Sequence, residues 1–413
     1  KNRLYYIDVK GMLSSLHGSA GAITALQNSV AHYYQRASSA DYLGVDPTRR
    51  SLTGTGGYVK VGRKGNAKWN FSETFTWSSP GFDLNDMGYM KETDYLMNET
   101  EIMYRQTDIW KIFRYNAFTL SQKNMWNYGG TPFSNNASLR WQSMTMNRYE
   151  WDVKETFAWN WLDSRLLRGG PDVRFGSYFL TSAKFNTDKA KRMMFMLKYE
   201  GDHNFEGNRF NTISPSLTFR LGNHVYLSGQ LDYAWNTDEM QYVATTSPLS
   251  SSSLTPYYYV MGHMDQKTYG LTLKLQVNVT PDISIQFYGA PFTSIAKYDD
   301  FKLAADTKSH TFENRFQRID PDHLTYADGV YTIGEGAGQM PFRNPDFRFN
   351  EFRSNLVARW EYLPGSTLYF VWEHRMSNRD NWYSSGWGSN LDRMWGLPAT
   401  NTFMIKMNYW FNL

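Results

Sequence analysis

The sequence predicts an all-β protein, a large antiparallel β-barrel of about 16–18 strands in a bacterial outer membrane, with short periplasmic turns and long extracellular loops. Three observations predict it. Strand-like segments alternate large apolar with polar side chains, so one face is greasy and the other wet. Tight polar turns alternate with longer loops along the chain. No run of about 18 apolar residues exists, so a membrane helix is excluded on pattern, while a barrel needs none.

Composition agrees. Aromatic residues make up 17% of the chain, yet mean hydropathy is −0.58. A soluble core would rest on Leu, Ile and Val; here Tyr, Trp, Phe, Asn, Ser and Thr dominate. The net charge of +4, with both signs interspersed, argues against a nucleic-acid partner. The absence of cysteine removes disulfides and thiolate metal sites. No signal peptide opens the chain at Lys1, so the expectation is either prior processing or the C-terminal part of a longer chain.

Taken in order, a first strand is expected near 2–10. Hairpin turns then recur at Gly62–Asn66, Gln106–Asp108, Asn147–Arg148, Asn186–Lys189, Gly222–Asn223, Thr280–Asp282 and Pro364–Gly365. Gly/Ser/Asn-rich stretches, expected as outer loops, lie between them at roughly 79–96, 122–135, 163–173, 202–210, 237–263, 291–351 and 377–400. The segment 291–351 is the longest and is the expected plug or cap. The dyad period is plainest in 269–279, where Tyr269, Leu271, Leu273, Leu275 and Val277 alternate with Gly270, Thr272, Lys274 and Gln276. It recurs in Val225–Asn236 and Phe352–Tyr362, and from Phe403 to Leu413, which reads as the closing strand. Trp69, Trp77, Trp159, Trp161 and Trp235 sit towards strand ends, as interfacial girdles require. The count reaches about 17; because barrels of this type have an even number, a further strand upstream of Lys1 is expected.

Two carboxylates resist the pattern. Glu73 falls on the face of Trp69, Phe71, Phe75 and Trp77, and Glu155 on that of Val153, Phe157 and Trp159. A lipid-facing acid costs roughly 2 kcal/mol or less. A face-swapping bulge accounts for each; a protein partner on that wall is the alternative.

Three stretches carry a family resemblance: Pro80-Gly81-Phe82-Asp83-Leu84-Asn85-Asp86-Met87-Gly88-Tyr89, the region Asn344–Phe347 with Phe352–Asn355 and Arg359–Tyr369, and Lys406–Phe411. Together they resemble the domain of unknown function 5916 family of Bacteroidota outer-membrane proteins. Members carry an N-terminal domain like carbohydrate-binding module family 9 and a C-terminal barrel of unassigned function. The resemblance implies that this chain is the barrel part, and it supplies no catalytic residues. Arg359 and Glu361 are expected to pair on the wet face beside the Pro364–Gly365 turn.

No catalytic or metal motif stands out. The eight histidines are dispersed, and Gly334–Gly338 lacks the strand–helix context of a phosphate cradle. The acids of the longest loop, Asp320 and Asp322 among them, read as a solvated surface and turn formers. No cofactor or metal is expected. The candidate ligand-binding residues are aromatic loop clusters: Trp382, Tyr383, Trp387 and Trp395 in one loop, and Tyr257, Tyr258 and Tyr259 in another. The expected role is non-enzymatic: binding or passage of a nutrient, with a glycan as the candidate ligand and outer-membrane lipid around the wall. A scaffold barrel anchoring a partner near Glu73 and Glu155 is the alternative.

Overall fold

The computed structural model describes residues 4–36, 41–65, 67–85, 88, 90–222, 224–249, 257–380 and 387–411. The chain is all-β, 65% strand against 6% helix. Among the described residues no helix is long and apolar enough to cross a membrane, which says nothing of strands.

Among the described residues sixteen strands follow one another as an antiparallel meander. They begin with β1 (Tyr5–His17), β2 (Ser51–Arg63), β3 (Trp69–Ser78), β4 (Tyr95–Gln106), β5 (Phe113–Trp126) and β6 (Pro132–Thr145). Next come β7 (Glu150–Trp159), β8 (Tyr178–Asn186), β9 (Met193–Asn204), β10 (Arg209–Leu221) and β11 (Val225–Thr246). The series ends with β12 (Tyr258–Asn278), β13 (Ile283–Ala304), β14 (Phe347–Leu363), β15 (Ser366–Asp380) and β16 (Thr400–Asn408). Each pairs with the next, and no pairing between β1 and β16 occurs among the described residues. The seventeenth strand of the sheet, Phe316–Arg318, only adds to the loop end of β13. Among the described residues the sheet thus has the 17 strands expected, of which sixteen form the meander.

All seven expected turns fall between consecutive wall strands at one end of the sheet, with Asn66 and Asn223 outside the described residues. Arg359 and Glu361 do pair, at 2.5 Å, and Glu361 also accepts the Gly365 N–H at 3.1 Å, so the ion pair braces the Pro364–Gly365 turn. The other connections all leave from the opposite end, but two of them are tight. Asn204 Oδ1 accepts the N–H groups of Glu206 and Asn208, with Gly207 at φ +107°. Asn127 Oδ1 likewise accepts from Thr131. Polar residues expected to form loops at 202–210 and 122–135 are hairpin chemistry instead. A connection over 18–50, with a helix at Ala20–Gln27, was not foreseen.

The last strand stops at Asn408, short of the expected Leu413, because its partner β15 begins at Ser366 and offers no ladder beyond Thr367. By contrast β11, β12 and β13 run further than expected, into stretches read as loop. Bulges in β11 near Asp238 and Tyr242 mark that extension.

The two faces are chemically distinct. Register rows place Phe71, Ile102, Leu120 and Leu139 side by side on one face of β3–β6. The opposite face of the same strands carries Ser72, Glu101, Ser121 and Ser138. Glu73 lies in register between Val61 and Thr100, and no register shift occurs in β2–β4, so the expected bulge is absent. It stays on the apolar face, where Thr100 Oγ1 (2.6 Å) and Asn98 donate to its carboxylate. Glu155 is held the same way by Thr181 Oγ1 at 2.7 Å.

The longest connection, 305–346, folds back on the sheet. Its strands Leu324–Ala327, Val330–Ile333 and Met340–Arg343 form a three-stranded flap. Ile333 and Phe342 pack with Val260, Met264, Ala296, Tyr298 and Phe301 in one buried cluster. Val260 and Met264 share a face of β12 with Gly270, Thr272 and Lys274, so the flap lies over the polar face. Each large apolar side chain fully buried contributes roughly 1.5–3 kcal/mol, enough together to seat it.

Candidate functional site

At the loop end of the polar face, one register row runs Leu180, Asp202, Phe210, Asn236 across β8–β11. Above it the strand ends contribute Tyr178, Asn204, Arg209 and Asp238, and the connection 160–177 adds Trp161, Asp163 and Phe175. Together they enclose a cavity of about 300 Å³. The Trp161 and Tyr178 rings meet edge to face, centroids 5.4 Å apart. The short ladder Trp161–Asp163 with Val173–Phe175 holds the loop over the cavity.

Hydrogen bonding divides the polar lining in two. Asn204 and Asn208 spend their oxygens on backbone N–H groups, Asn208 reaching Glu239 N at 2.8 Å. Asp163 Oδ1 accepts from Arg165 and Leu166, and Asp238 Oδ1 from Met240. Among the described residues no hydrogen bond or ion pair reaches Asp202. Both Asp202 and Asp238 lie on the loop side of the row Gly201–Asn211–Trp235.

The surrounding loops are pinned together beside this cavity. Arg315, 1% exposed, bridges both Glu206 oxygens at 2.8 Å, and Glu206 Oε2 also accepts Gly176 N at 2.7 Å. Thr307 Oγ1 donates to Asp172 O at 2.7 Å, and Arg174 N to Thr307 O at 2.9 Å. The hairpin tip, the connection 160–177 and the start of the longest connection thus share one anchor.

Of the aromatic residues expected to bind ligand, those described are not brought together there. Trp382 and Tyr383 lie outside the described residues, as does the side chain of Trp387. Trp395 packs on Phe352, ring centroids 4.9 Å apart, where the helix Trp387–Trp395 covers β13–β15. Met394 and Asn390 of that helix are fully buried. Tyr259 packs against the buried cluster of Leu167, Val173, Met240 and Met261. Tyr257 and Tyr258 remain exposed. Asp320 caps its own short helical turn, accepting Asp322 N at 3.0 Å, and Asp300 pairs with Lys302 and Arg318.

The motif stretches have structural work. Phe82 is buried, Asp83 N donates to Ser14 Oγ at 2.9 Å, and a Cβ on Gly54 would lie 2.1 Å from Phe82 N. Glycine there lets the 79–94 connection lie directly on the polar face of β1 and β2. Asn344-Pro345-Asp346-Phe347 returns the longest connection to the wall, with Asp346 Oδ1 accepting Tyr298 N at 2.7 Å.

The model of the domain of unknown function family DUF5916 matches residues 18–413. The chain belongs to this family. No curated protein matches it. Among solved structures, DUF5916 here is similar to the siderophore receptor PirA from Acinetobacter baumannii, at 10% identity and a TM-score of 0.37, covering 98% of this chain and 68% of that one.

Proposed function

We propose that this DUF5916 chain forms the transmembrane β-barrel of an outer-membrane protein that captures or passes a small nutrient at its loop end. The reading is non-catalytic. Its Bacteroidota source and an associated carbohydrate-binding-module-family-9-like domain belong to the same proposal, as the family resemblance implies. An even-numbered wall supports closure between β1 and β16, which run antiparallel to each other, although closure itself is part of the proposal.

The observation that carries the reading is where the longest connection goes. It seats a flap over the polar face of β11–β13, beside an aromatic-walled cavity, where a solute entering a barrel would first be met. Glu73 and Glu155 are hydrogen-bonded by their own neighbours in the wall, so neither is a specific observation in favour of the scaffold alternative. Planar-bilayer recording tests passage. The intact chain is expected to insert and conduct weakly, and deletion of 320–343 to raise the steady current several-fold. Insertion without current in both forms contradicts passage and leaves capture alone.

A further inference from the structure

The lining of the 300 Å³ cavity has a chemistry that selects its occupant, and we propose that it binds a small organic cation, an amine attached to a ring-sized or apolar body. The proposal rests on the reading of the loop end as the solute-capturing face and names the ligand class.

Charge is the first argument. The lining holds three carboxylates, Asp163, Asp202 and Asp238, and one guanidinium, Arg209; outside it, His203 acts on Asp202, and Lys302 and His263 on Asp238. Asp202 has no bond to spend on the protein, and one oxygen each of Asp163 and Asp238 is also unspent among the described residues. An ammonium brings donors and no acceptors, which complements an acceptor-rich space. A neutral polyol would bring no charge to the carboxylates of the lining, and an anion would be repelled by them.

The second argument is the wall. Trp161, Phe175, Tyr178 and Phe210 present aromatic surface beside those acids, and aromatic faces attract cations most strongly where water is thin. Phe210 and Leu180 stand on the polar face, against the alternation of Thr212 and Ser214 or of Ser182 and Lys184. On β8 and β10 that alternation is broken only beside the cavity. The volume is at the low end of ligand cavities, roughly 300–1,000 Å³, so the occupant is a monomer rather than a chain.

Matched pairs of probes test this on the whole chain in non-ionic detergent. Calorimetric titration would compare benzyltrimethylammonium with benzyl alcohol, and glucosamine with glucose. The cation of each pair is expected to bind at least tenfold tighter than its neutral match. Asp202→Asn, close to isosteric, and Trp161→Ala should each weaken cation binding about tenfold. Equal affinity within the pairs, tighter binding of glucose, no binding of any probe, or binding indifferent to Asp202→Asn would each overturn the proposal. Bilayer insertion of the same samples separates the two readings. Insertion without cation binding sinks the ligand assignment alone, whereas failure to insert sinks the membrane reading.

Discussion

Glu73 has Phe71 and Phe75 two positions away on its own strand and Val61 beside it on the next, yet it is not stranded. Thr100 and Asn98 donate to it, so the cost of a carboxylate on an apolar wall is reduced within the wall. If lipid covers this face, Glu73→Leu should leave stability in detergent within about 1 kcal/mol of the parent or raise it. Thermal unfolding of the two side by side checks this; a large loss would mean the carboxylate serves something else. At this scale the sequence was readable where chemistry is local. Arg359 and Glu361, two apart on one strand face beside a Pro-Gly turn, could be paired on paper. Asp202, Phe210, Asn236 and Trp161 could not, because they come from separate strands and a loop and meet only through register. The signal was present, however: Leu180 and Phe210 are apolar at positions where their strands are otherwise polar.

Among the elements, the longest connection owes its seat to two kinds of contact. The flap is held by apolar burial around Phe301 and Phe342, and the start of the connection by Arg315 on Glu206. Arg315→Met removes one member of a buried bidentate pair and leaves Glu206 facing only Gly176 N. A loss of roughly 3–5 kcal/mol of local stability is expected. Hydrogen exchange should then speed across 305–318 and 172–176 while β12 stays protected; unchanged protection at 305–318 would show that the flap alone holds the connection. Turns were legible because Asn, Gly and Pro act within four residues. The flap, the helix Ala20–Gln27 and the helix Trp387–Trp395 were not, because each is stabilised by strands distant in sequence. The extra length of β11–β13 was hidden for the same reason: their loop ends carry polar residues such as Asp238, Glu239 and His263, which read as loop until the covering flap is known.

For the whole molecule, the membrane proposal depends on the apolar face meeting hydrocarbon. The dyad period made the two faces legible from sequence alone, since a strand fixes side-chain direction by parity. Parity does not say how the wall closes. β1 and β16 each keep one unpaired edge among the described residues, with Ile7 and Ile405 75% and 72% exposed. The chain's lack of cysteine makes a direct test simple, because single spin labels can be placed without background. Labels at Leu273 and Lys274, neighbours on β12 with opposite parity, would be compared in lipid vesicles for collision with oxygen and with a water-soluble nickel chelate. Oxygen should dominate at Leu273 and nickel at Lys274, whereas nickel access at both positions would contradict the account.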